Sequence, residues 1–62
     1  MNKIKSKRLE KDWTQKTLAT EAGLSINSIV AYERGTKSPT IRALEKIANA
    51  LGCSVKDLVS DD

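Results

Sequence analysis

An all-α fold of five short helices in one compact domain, residues 1–62, is what this sequence predicts, and three observations predict it. Apolar residues recur at helical spacing, most regularly as Ile41, Leu44, Ile47, Ala48 and Leu51, and no segment shows the strict alternation of a strand. A hydroxyl residue stands ahead of four helical segments, Thr14, Ser25, Thr40 and Ser54, where its side chain can accept from the free amides of a first turn. Behind three of them stands Gly23, Gly35 or Gly52, the residue type that turns left-handed beyond a helix end.

The elements follow in chain order. The first helix is expected from Ile4 to about Lys11, largely polar, anchored by Ile4, Arg8 and Leu9, and stopping before Asp12 and Trp13. Trp13 is expected to pack over the start of the second helix, which Thr14 caps and which sets Leu18, Ala19 and Ala22 on one face before Gly23. Ser25 caps the third helix, Ile29 and Tyr32 point inward from it, and Gly35 closes it. The stretch TKSPT reads as a loop, and Thr40 after Pro39 caps a fourth helix whose apolar stripe, Ile41 to Leu51, is expected to be the central beam of the core. Gly52 ends that helix and Cys53 is expected beside Leu51. Ser54-Val55-Lys56-Asp57 has the form of a capping box, and Leu58 and Val59 should be the apolar face of a short last helix. Ser60, Asp61 and Asp62 are expected to fray.

Composition narrows the function classes. A chain of 62 residues buries only about 60% of the surface it exposes when unfolded, so its core must be compact. With one cysteine, Cys53, and no histidine, neither an internal disulfide nor the usual mixed Cys/His zinc site is available, and no metal or cofactor is expected. Histidine is also missing as a general base, and no G-x-x-x-x-G-K-S/T phosphate loop occurs, so catalysis is not expected. The basic start MNKIKSKRLEKD lacks the apolar run of a secretory signal, and no stretch approaches the roughly 20 apolar residues that span a bilayer. A reducing cytoplasm is the expected address, with no membrane partner and no small-molecule ligand. Residues 1–46 carry ten Lys and Arg against five acids, whereas residues 47–62 carry Lys56 against three acids. A positive body with a mildly acidic tail suits a polyanion on one side of the molecule.

The segment from Gln15 to about Arg34 concentrates the signal. Counted from Gln15, Ala19 is fifth, Gly23 ninth, Ile29 fifteenth and Tyr32 eighteenth. Ala19 is small enough to let two helices cross closely, Gly23 turns the chain, and Ile29 and Tyr32 fill the wedge beneath the second of the two helices. This is the spacing of a helix-turn-helix, in which the second helix lies in the DNA major groove. Together with Arg8, the stretches TQKTLATEAGLSINSIVAYERG and SPTIRALEKIANALGCSVKDL make nearly the whole chain resemble the helix-turn-helix domain of phage repressors and Cro proteins. That Xre-type family includes the lambda and 434 repressors. The resemblance implies a five-helix DNA-binding domain of bacterial or phage origin that regulates transcription, usually as a homodimer on a near-palindromic double-stranded operator.

The same resemblance implies roles for individual residues. Gln15 matches a glutamine that contacts the DNA backbone, and Ser25, Ile26, Asn27 and Ala31 match positions that touch phosphate or base edges. Arg8 and Glu33 match a structural ion pair tying the first helix to the third. Lys37, Ser38 and Thr40 match a loop and helix start that face phosphate, and Ser28 is assigned to phosphate with them. Arg34 and Lys37 follow the third helix where a phosphate strand should pass. On the side chains themselves, Asn27 is suited to a bidentate contact with adenine, and Ile26, Val30 and Ala31 to thymine methyl groups. The third helix lacks the glutamines that many relatives carry, which leaves the operator sequence open. Val55, Leu58 and Val59 are candidates for a dimer contact, with ordinary core packing as the alternative. The rival function is a protein-interaction module, an antitoxin or anti-repressor, docking through Ile26, Val30 and Ala31.

Overall fold

The computed structural model describes residues 2–59, and the expected fraying of Ser60, Asp61 and Asp62 lies outside them. Five helices follow in order: α1 (Ile4–Glu10), α2 (Gln15–Ala22), α3 (Ile26–Arg34), α4 (Ile41–Leu51) and α5 (Val55–Leu58). Each start expected from a hydroxyl residue has its cap. The side chains of Thr14, Ser25, Thr40 and Ser54 accept from the backbone N–H of Thr17, Ser28, Ala43 and Asp57 respectively. At Ser54 the cap is reciprocal, because the Asp57 carboxylate accepts from Ser54 N at 3.1 Å. Those bonds from Ser54 hold the Asp57 carboxyl below the usual carboxylate range.

Gly23 shows why a glycine stands at the turn between α2 and α3. Its φ is 69°, and its N–H reaches back to the carbonyls of Ala19 and Thr20. A Cβ there would meet nothing within 4 Å. The backbone angle, not space, therefore calls for glycine.

One side chain from every helix is fully enclosed: Ile4, Leu18, Ile29, Ile47 and Leu58. Around them Ala19, Ala22, Tyr32, Ala43, Leu44, Ala48 and Leu51 complete the core, and Trp13, Leu24, Ala50, Cys53 and Val55 pack against its edge. Burial raises the Cys53 thiol above its ordinary value, reinforced by the charge of Asp57.

Three apolar expectations change. Ile41 is 68% exposed, and Ala43 takes its place in the buried set of α4. As the first residue of α4, Ile41 overhangs the end of the core. Leu9 also faces outward, turned about 100° around α1 from its neighbour Arg8. Val59 lies beyond α5 in extended conformation and is 48% exposed.

The turn closing α1 uses Asp12 at a φ of 58°, the positive value that L side chains rarely adopt. Here Asp12 N donates to Leu9 O at 3.0 Å and Trp13 N to Arg8 O at 3.2 Å. An acid just past a helix C-terminus also meets the negative end of the dipole. Asp12→Asn is expected to raise stability by about 0.5 kcal/mol, since asparagine tolerates this conformation and carries no charge. A urea midpoint that falls instead would show that the carboxylate serves something besides the turn.

Candidate nucleic-acid interface

The outward face of α3 is the reverse of the face that Ile29 and Tyr32 bury. Ile26, Asn27, Val30 and Ala31 fall on it at spacings of one, four and five residues, with Arg34 one turn beyond Val30. Asn27 and Arg34 are exposed, Ile26 is 44% exposed, and Val30 and Ala31 are half-buried. Short side chains over one ridge leave the helix body free to approach a groove closely, and Asn27 alone among those four carries both a donor and an acceptor.

Ser25 and Ser28 divide the work at the start of α3. The Ser25 hydroxyl accepts from Ser28 N at 3.1 Å and donates to Ser28 Oγ at 2.9 Å. Its proton is thereby used within the cap, whereas the Ser28 hydroxyl proton is not. Of the two serines, Ser28 is the one with an O–H to offer an anion. The Thr40 hydroxyl likewise accepts from Ala43 N at 3.1 Å, while Lys37 and Ser38 stand exposed in the loop before it.

Behind α3 lies a polar cluster that links three elements. The Arg8 guanidinium grips the Glu33 carboxylate with two bonds, Nε to Oε2 at 2.7 Å and Nη2 to Oε1 at 3.0 Å. Its remaining arm, Nη1, donates to the Trp13 carbonyl at 2.7 Å. The two side chains are only 8% and 3% exposed, and the Glu33 hydrogen bond raises the Arg8 pKa further above its already high ordinary value. Gln15 Nε2 adds a third bond to this carboxylate, reaching Oε1 at 3.2 Å. The first side chain of α2 is thus oriented by the last turn of α3, and among the described residues its Oε1 has no hydrogen-bond partner. Trp13 is half-buried, and Lys11 Nζ lies 4.9 Å from its ring centroid.

The dimer candidates separate. Leu58 is enclosed by its own chain, because α5 lays that side chain into the core, so it does not form part of a surface. Val55 packs against the core edge, and Val59 is exposed. Sequence reasoning did not single out Asn2, whose side chain contacts α3. An asparagine two residues ahead of the first anchor, Ile4, was the available signal.

Among the described residues no helix is long and apolar enough to cross a membrane. A family model described as Helix-turn-helix matches residues 4–58, from the first residue of α1 to the last of α5. The chain is similar to the cryptic phage CTXphi transcriptional repressor RstR of Vibrio cholerae, 40% identical over 60 residues, covering 97% of this chain and 54% of that protein. It is also similar to control protein C.BamHI of Bacillus amyloliquefaciens, 40% identical over 58 residues, covering 92% and 72% of the two chains. A third relative, antitoxin PezA of Streptococcus pneumoniae serotype 4, is 37% identical over 59 residues, covering 95% and 37%. The chain spans about half the length of the first of these. Five helices, four of them capped by a hydroxyl side chain, the left-handed glycine between α2 and α3, and a match over nearly every described residue lead to one conclusion: the chain belongs to the phage-repressor, Xre-type helix-turn-helix family.

Proposed function

We propose that this protein is a sequence-specific double-stranded DNA-binding regulator of transcription, acting as a repressor in the cytoplasm and binding as a homodimer on a near-palindromic operator. The observation that carries the reading is the outward face of α3, with Ile26, Asn27, Val30 and Ala31 on one ridge and Arg34 at its end. The similarity to a transcriptional repressor supports it. In this reading α3 enters the major groove, Asn27 reads adenine, and the apolar neighbours meet thymine methyl groups. Gln15, Ser28, Arg34, Lys37 and Ser38 hold phosphates, with Ser25 and Thr40 shaping the helix starts beside them. One reading helix covers few base pairs, so two subunits engage half-sites about 10 base pairs apart. Occupied promoters are closed to polymerase. The role is one of binding, and residues 1–62 act as one domain.

Selection from a random duplex pool tests this. The expected winner is near-palindromic and contains A·T pairs in each half. Asn27→Ala is then expected to lose about 1–3 kcal/mol of discrimination at one A·T position, with little change elsewhere in the site. A flat selection profile from folded protein would refute the proposal.

Similarity to an antitoxin favours one second reading, docking of a partner protein on the Ile26, Val30 and Ala31 ridge. That interface would persist at salt concentrations that dissolve a phosphate interface.

A further inference from the structure

The C-terminal turn of α3 is held from α1 at two successive residues. Arg8 takes the Glu33 side chain. Asn2, ahead of α1, takes the Tyr32 backbone, its Nδ2 donating to the carbonyl oxygen at 2.9 Å across 30 positions of sequence. The other end of the same amide, Oδ1, accepts from Ile4 N at 3.1 Å. Within α3 the Tyr32 carbonyl has only a longer bond, 3.3 Å from Gly35 N. The next peptide N–H, that of Lys3, donates to Leu58 O at 2.8 Å.

Satisfying Ile4 N, the first N–H of α1, requires only the Oδ1 half of this arrangement. The Nδ2 half does nothing for α1 and instead fixes where the last turn of α3 sits, two residues before Arg34 and directly after Val30 and Ala31. Glu33 is anchored through a side chain with rotatable bonds, whereas Tyr32 is anchored through the helix backbone itself. We infer that Asn2 is a positioning residue for α3, setting the tilt at which its outward face meets DNA. This rests on the DNA-binding reading above.

The variant Asn2→Ser separates the two halves. A serine hydroxyl still accepts from the N–H two residues on, but it has neither the amide donor nor the length to meet Tyr32 O. Affinity is measured for the duplex that wild type selects and for a scrambled duplex at the same salt. The ratio is expected to fall about fivefold, with scrambled-duplex affinity and helical signal unchanged, since a net hydrogen bond is worth roughly that factor. Asn2→Asp is measured beside it, so that a folded variant is in hand if serine fails to fold. It keeps the acceptor at full length and lacks the donor, and its added charge lowers both affinities and cancels in the ratio. An unchanged ratio in a folded variant overturns the inference, whether the two affinities hold or fall together. Wild type that prefers no duplex overturns the DNA-binding reading itself.

Discussion

Arg8→Met is expected to cost about 3 kcal/mol or more of folding stability, read from urea denaturation, because it strands a buried carboxylate. Glu33 is 3% exposed and accepts two of its three hydrogen bonds from the guanidinium. The Trp13 carbonyl loses its Arg8 partner at the same stroke. A domain of 62 residues has a total stability of only about 3–9 kcal/mol, so the loss removes a third or more of it. Arg8→Lys keeps the charge but replaces a planar fork with a point donor, and it should fall between the two. The double variant Arg8→Met/Glu33→Leu is expected to be more stable than Arg8→Met alone, since removing both charges together leaves neither unpaired. A loss below about 1 kcal/mol for Arg8→Met would show that water reaches the carboxylate.

Raising salt from about 50 to about 200 mM is expected to weaken binding to the selected duplex by about 100-fold. The size follows from the cations at the interface. Arg34 lies at the end of the outward face of α3 and Lys37 in the exposed loop beyond it, so the proposed homodimer would bring about four cations to phosphate, a logarithmic slope of roughly −3.6. Gln15, Ser28 and Ser38, the other proposed phosphate contacts, are neutral and would release no counterions. Arg34→Gln together with Lys37→Gln is expected to flatten the slope nearly to zero and to weaken binding to all sequences alike. A wild-type affinity that hardly responds to salt would instead favour the docking of a partner protein on the apolar ridge.

How far the site was legible differs from residue to residue. Helix starts were readable because a cap is a local event: Ser25 meets Ser28 three residues on, and nothing distant alters that geometry. The outward face of α3 was readable because Ile29 and Tyr32 set its inward side. Ile41 and Leu9 went the other way. Periodicity gives direction around a helix axis but not how far along that axis its neighbours extend, and Ile41 sits past the end of that cover. For Val55, Leu58 and Val59 the sequence allowed core or surface, and packing assigned Leu58 to the core and Val59 to the surface. Ser25 and Ser28 were both assigned to phosphate, yet only the position of each hydroxyl shows which proton is spent within the cap.

The all-α class, the order of the five helices, the caps of α2 to α5, the glycine turn between α2 and α3, and the family are all legible in the chain's own residues. Each of these depends on interactions among residues no more than a few positions apart, or on apolar spacing that any compact partner would satisfy. It takes packing to lean Gln15 on Glu33, to bring Arg8 to the Trp13 carbonyl as well, and to carry Asn2 to the backbone of α3. Those bonds join residues brought together by the crossing of helices, and a hydrogen bond succeeds or fails on tenths of an ångström. Helical spacing says which way a side chain points, whereas the depth and angle at which α1 and α2 pack against α3 say what it finds there.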